Sequence, residues 1–299
     1  MKTKLCVILT AGLLAACSSD SDSPTPPQNR PIYVEVSERP MIPEGAEARE
    51  LDMGTRAVAT TTASLAEFTM HNGSNEYEAS KKESDNTWTV TGSWPTGAGT
   101  NEKIPFYAHT VGASRFQTYN VNGDDPYINF TVYEDGFTQH DLLVAKTTAS
   151  YIDHDSGNVG KVHLTFDHAC AAVKFNVFIT NTLAGQISNG TLTVTSIVLR
   201  NVKNTGRYFF NSGWKNVSVS GSNYNYFTLT NGPISVSTTP TDLPCDCIFM
   251  IPQSCSGVYL EVNFSGQTKT SVNIPLTGSW EAGKEYTVNI KLGTKSILE

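Results

Sequence analysis

From Ala57 onward apolar residues recur at period two in short runs separated by turn-forming stretches, and no segment shows convincing helical periodicity. The runs predict strands over residues 65–70, 86–90, 104–108, 128–132 and 142–145. In the second of these Trp88 and Val90 share a face, and in the third Pro105 marks an edge strand or a strand start. Gly73, Gly92, Gly97, Gly99, Gly112 and Gly123 fall between the runs as turn signals. A second set starts near Lys161. Residues 162–166 alternate, and residues 173–179 alternate on the opposite parity, which predicts a bulge or bend at 169–172. Further strands are predicted over 192–199, 226–229, 248–251, 258–264 and 286–292. Strands joined by turns, without helical patterning between them, predict an all-β chain of Greek-key β-sandwiches. The polar stretch 153–158 is the best boundary. It divides the body into an N-terminal sandwich, 57–158, and a C-terminal sandwich, 159–299.

The chain ahead of the body has a different pattern. Lys2 and Lys4 precede an apolar run over 5–14, which is too short for a mature membrane span and reads as a signal peptide over 1–16. It ends in Leu14-Ala15-Ala16-Cys17, which resembles a bacterial lipobox and makes Cys17 the candidate lipidation site. Several acyl chains there would anchor the protein stably. Residues 17–56 read as a pro-segment, beginning with a Ser/Asp run and the stiff stretch Pro24-Thr25-Pro26-Pro27. Within it Ile32, Val34 and Val36 fall on one face of a single predicted strand. A lone strand is unstable in water, so this one needs a partner in the body. Arg56, set among small residues before Ala57, is a candidate protease site.

Composition narrows the function classes. Only 16% of the 299 residues are charged, against about a quarter in ordinary domains. With 39% apolar and 10% aromatic residues, the chain is not disordered as a whole. A net charge of −7 argues against nucleic acid as a partner, because phosphate binding needs a basic footprint.

Candidate chemistry is sparse, and the chain reads as a non-enzyme with no cofactor. Asp153-x-Asp155 beside Gly157 has the start of a calcium loop, but Asn158 stands at the sharp-turn Gly position and Leu164 at the bidentate Glu position. No nucleophile elbow, phosphate loop or His-Glu-x-x-His motif is present. His168 reads as a packed or hydrogen-bonded structural residue, and Asp167 points to the opposite face. Cys6 falls in the signal peptide. Cys170, Cys245, Cys247 and Cys255 lie in the second half, as disulfides of open connectivity or buried thiols; a metal site is not expected.

Several segments in order resemble the fimbrillin family, the type V pilins of Bacteroidota. They are Thr55-Arg56-Ala57, Asp141-Leu142-Leu143, Phe166-Asp167-His168-Ala169 leading into Val173-Lys174-Phe175, Phe249-Met250-Ile251-Pro252-Gln253, and Trp280-Glu281-Ala282-Gly283-Lys284-Glu285-Tyr286-Thr287-Val288. The acidic run after Cys17 resembles the surface-export signal of lipoproteins in the same phylum. The resemblance implies two tandem transthyretin-like sandwiches. It implies a lipoprotein precursor carried to the outer membrane on Cys17 and cut after Arg56 by a trypsin-like, Arg-specific protease. Loss of the pro-segment strand would leave a groove, filled by a strand from another fimbrial subunit in donor-strand exchange. Only seven residues follow Leu292, spanning at most ~24 Å when extended, with little apolar character. The chain is therefore expected to accept a strand more readily than donate one, as a tip or accessory subunit with a host or bacterial surface ligand. The alternative is an unpolymerised, lipid-anchored glycan-binding module, with Trp88, Trp94, Trp214, Tyr208, Tyr224 and Tyr226 as stacking faces.

Overall fold

The computed structural model describes residues 30–43, 65–73, 75–95, 99, 101–110, 118–120, 125–133, 139–153, 158–219, 226–245 and 247–298. Two strands precede the body, β1 (Tyr33–Glu38) and β2 (Ile42–Pro43). The first part of the body forms β3 (Glu67–Asn72), β4 (Asn75–Lys81), β5 (Trp88–Val90), β6 (Ile104–Thr110), β7 (Thr118–Asn120) and β8 (Tyr127–Thr131). Then come β9 (Leu143–Ala149), β10 (Ile152–Asp153), β11 (Asn158–Val159), β12 (Lys161–His168) and β13 (Ala171–Ile179). After the short helix α1 (Asn181–Ala184) follow β14 (Leu192–Arg200), β15 (Thr205–Phe209), β16 (Gly213–Ser218), β17 (Tyr226–Thr228), β18 (Ile234–Val236) and β19 (Thr241–Asp242). The chain closes with β20 (Ile248–Met250), β21 (Gln253–Ser254), β22 (Tyr259–Ser265), β23 (Ser271–Pro275), β24 (Ser279–Trp280), β25 (Lys284–Leu292) and the single-turn helix α2 (Thr294–Ile297).

The all-β expectation holds. The largest sheet has seven strands in the order β1-β12-β9-β6-β3-β4-β5. Two others run β19-β13-β25-β2, with β20 also on β13, and β17-β14-β22-β23, with β18 also on β14. A four-stranded sheet runs β16-β15-β8-β7. Apolar side chains form two clusters. The first gathers Phe68, Met70, Phe106, Leu143 and Phe166; the second gathers Phe175, Val177, Ile197, Leu260 and Ile290. The chain around the start of β9 serves both. Leu143 and Ala145 join the first cluster, and Leu142 and Val144 join the second, as side-chain alternation across an extended chain requires.

Strand pairing runs across position 158/159 in two places. β12 hydrogen-bonds to β9 and β1, so residues 161–168 belong to the seven-stranded sheet, with Val162, Leu164 and Phe166 in the first cluster. The parity change at 169–172 is a change of sheet: β12 ends at His168, and β13 begins at Ala171 against β25 and β20. In the other direction, β8 pairs with β15 and puts Ile128 and Phe130 into the second cluster. Pro105 marks a strand start in an interior strand. The ladder between β3 and β6 begins only at Tyr107, so no N–H is wanted from residue 105 on that side. The end of the chain folds back: Ile297 in α2 is fully buried in the second cluster.

Gly160 governs the entry to β1. It adopts φ +68°, and a Cβ there would lie 2.8 Å from the Pro31 carbonyl oxygen. Its own carbonyl accepts the Tyr33 N–H at 2.8 Å. Gly160→Ala is expected to lower stability by about 1–2 kcal/mol. The Tyr33 amide should lose hydrogen-exchange protection before amides in β3 or β13 do.

Candidate functional site

The segment 30–43 lies as a strap over both clusters. β1 runs parallel to β12 through six residue pairs, from Tyr33 opposite Lys161 to Glu38 opposite Phe166. Its period-two pattern sends Ile32 and Val34 into the first cluster, while Val36 is half-buried against the same cluster. Of the three predicted shielding residues, two are therefore fully inside and one flanks them. Beyond β1 the strap crosses to the second cluster. Met41 is 2% exposed there, and β2 pairs in parallel with Lys284 and Glu285 of β25.

The outward face of β1 is zipped to β12 by exposed polar pairs. Glu35 meets Lys161 at 2.6 Å and His163 at 3.0 Å, and Ser37 meets Thr165 at 3.0 Å. Arg39 donates both ways to Asp167, at 2.7 and 2.9 Å. Exposed pairs of this kind contribute about 0–1 kcal/mol each, so the buried face carries most of the attachment. On its other side β1 faces β5 across a cleft of about 560 Å³ lined by Tyr33, Val36 and Trp88 among others.

One inward position of β1 is charged. The Glu38 side chain is 6% exposed, and its Oε1 lies 2.9 Å from His168 Nε2. His168 Nδ1 hydrogen-bonds the Asp141 carboxylate, and both of those side chains are fully sequestered. A carboxylate beside each ring nitrogen favours the imidazolium, with Asp141 hydrogen-bonded at Nδ1 and Glu38 at ion-pair distance from Nε2. Burial opposes that charge, but the Asp141 and Glu38 carboxylates outweigh it and raise the His168 pKa to about 9. The sequence identified His168 as a structural histidine with Asp167 facing away, and this is how they lie. It missed Glu38 and Asp141 as its partners. The available signal was parity, since Glu38 continues the inward series 32-34-36 with an acid.

A second histidine pair behaves oppositely. On β3 and β6, His71 and His109 bring their Nε2 atoms to 3.2 Å. His109 Nδ1 donates to the Thr110 carbonyl, so its Nε2 accepts the His71 Nε2–H and both rings are neutral. Burial, reinforced by the neighbouring His109, lowers the His71 pKa to about 3. Burial, partly offset by the Thr110 carbonyl, lowers His109 to about 4. An unfolded histidine titrates near 6.5. Below that pH the unfolded chain takes protons that folded His71 and His109 refuse, so stability falls with acidification. Above it folded His168 keeps a proton that the unfolded chain releases, so stability falls again through about pH 9, by on the order of 3 kcal/mol. Denaturant midpoints measured from pH 4 to 9 should therefore peak near pH 6.5; a flat profile would contradict the assignment.

The remaining candidates are structural or undescribed. Cys170, Cys245, Cys247 and Cys255 are buried thiols with no disulfide among them. Burial pushes Cys247 up to about 12, which removes its thiolate character. Among the described residues no cluster of three or more His, Cys, Asp or Glu side chains is arranged to hold a metal ion. Trp94 is 3% exposed and packs edge-on to Phe106, Trp88 packs on Phe68, and Trp214 donates to the Ala169 carbonyl at 2.6 Å. Trp94 is thereby committed to the core, while Trp88 and Trp214 are half-buried and Trp88 also lines the cleft beside β1. Cys17, Arg56, Ala57, Asp155 and Tyr224 lie outside the described residues, as does the side chain of Tyr226.

The fimbrillin-like family profile matches residues 51–299, leaving β1 and β2 ahead of the match. No curated protein matches the chain. A fimbrial protein from Bacteroides vulgatus has a similar fold, with a TM-score of 0.53 at 17% identity over 88% of this chain and 96% of that one. A candidate cell adhesion protein from Bacteroides ovatus gives 0.51 at 16% identity over 90% and 94%.

Proposed function

On the premise that the chain belongs to the fimbrillin-like family and is a surface fimbrial subunit, we propose that it is an acceptor subunit held in its precursor state by the 30–43 strap. In this reading its two cores are tandem transthyretin-like sandwiches. The precursor is lipidated at Cys17 and brought to the outer membrane. A trypsin-like protease cuts between Arg56 and Ala57, and a strand from a neighbouring subunit takes the place of β1 on the β12 edge. The observation that carries the reading is β1 itself. It fills an edge position of the main sheet, buries Ile32 and Val34, and connects to the body only through the 44–64 segment that contains Arg56. Vacating it exposes unpaired main-chain groups along 161–166 beside an apolar floor, which is what β-augmentation needs.

Crosslinking tests the exchange. His163 faces Glu35 in the β1 ladder. A thiol crosslinker placed at His163→Cys should capture residues of the same chain in the precursor and a different chain in assembled fimbriae. Absence of any intermolecular adduct in the fimbriae would refute the exchange.

A further inference from the structure

We propose that the buried His168–Asp141 pair selects the strand that occupies the groove, by demanding a carboxylate at the fourth inward-facing position. This rests on the groove reading above and concerns the chemistry of the occupant. The inward series of the present occupant is Ile32, Val34, Val36, Glu38. Three positions ask only for apolar volume, which many strands supply. The fourth faces a cation. His168 is 1% exposed on its side chain, its Nδ1 is spent on Asp141, and its Nε2 lies 2.9 Å from Glu38 Oε1, an ion-pair distance without hydrogen-bond alignment. A strand with an apolar residue there would remove one of the two carboxylates that offset the buried imidazolium, and one with a lysine would bury two cations together. The outward positions cannot discriminate in the same way, because Glu35, Ser37 and Arg39 pair in solvent. The predicted partner is thus a strand parallel to β12 reading apolar-x-apolar-x-apolar-x-acidic.

The test uses the full chain with a site-specific protease sequence inserted after Arg56, cut in solution so that the strap remains bound but exchangeable. Labelled peptides spanning residues 30–43 then compete for the groove. The wild-type peptide should enter, and Val34→Lys should not. Glu38→Leu should bind ~100-fold more weakly than wild type, as expected for stranding a buried charge. Glu38→Gln, which keeps the shape but not the charge, should fall at least ~10-fold. If both Glu38 variants bind within twofold of wild type while Val34→Lys is excluded, the groove stands and the carboxylate rule is wrong. If the wild-type peptide does not enter, the exchangeable groove is itself refuted, and the rule with it.

Discussion

Phe166→Ala lowers the unfolding free energy by about 3–5 kcal/mol, the range for removing a buried aromatic ring. Phe166 is 0% exposed and packs edge-on to Phe68 with ring centroids 5.2 Å apart. It stands on β12 opposite Glu38 of β1, so its ring is part of the floor against which the strap lies. The loss has two components. Transfer of the ring to water costs once, and the cavity costs again, because the surrounding strands are held by ladders on both sides and cannot close over it. The effect should be polar across the molecule: hydrogen-exchange protection falls first in β1, β3 and β12, and less in β13 and β25 of the other cluster. Denaturant melts with residue-resolved exchange would check both parts. A loss under 1 kcal/mol would show that the first cluster does not depend on this face.

On the proposed processing, Arg56→Ala should leave the chain at precursor length and abolish its incorporation into fimbriae. The argument is one of connectivity. While the 44–64 segment is intact, β1 competes for the β12 edge from within the same molecule, at an effective concentration of millimolar order. A donor strand from another subunit faces that competition on every encounter. Cutting after Arg56 separates the competitor from the body, so that once displaced it stays behind on its own lipid anchor and no longer competes from within the same molecule. Cleavage by itself does not eject the strap, because Ile32, Val34 and Met41 stay buried and the six-pair ladder stays formed. The cut chain should therefore keep its segment in isolation and lose it only when a matching strand arrives. Immunoblots of surface fractions from cells carrying the variant would show full-length chain and no high-mass ladder; a normal ladder would refute the role of Arg56.

What the sequence disclosed follows from the range of the forces involved. β1 was legible because Ile32, Val34 and Val36 alternate against polar neighbours, and alternation is a local property. The same rule found β9, β13 and β25. It missed β4, whose inward Tyr77 and Ala79 alternate with Glu76, Glu78 and Ser80 and hardly stand out, and it missed the hairpin of β15 and β16. It also could not say which sheet takes β12. A parity change says that the chain turns, whereas the choice of sheet is made by distant partners, here Tyr33–Glu38 and Val144. The buried ionic cluster was hidden for a related reason. Glu38, Asp141 and His168 are about a hundred residues apart at their widest gap, so no spacing motif joins them. The Asp141-Leu142-Leu143 and Phe166-Asp167-His168-Ala169 segments each resemble the family on their own. Their meeting point is visible only in three dimensions.

The central claim is that the strap is a removable occupant of the β12 edge, lost when the subunit joins a fimbria. Mass spectrometry of the N-terminus of this chain, taken from purified assembled fimbriae, tests it most directly. The account predicts a chain that starts at Ala57, with residues 30–43 absent from the fimbriae. An assembled chain that still begins at an acylated Cys17 and carries its strap would contradict it.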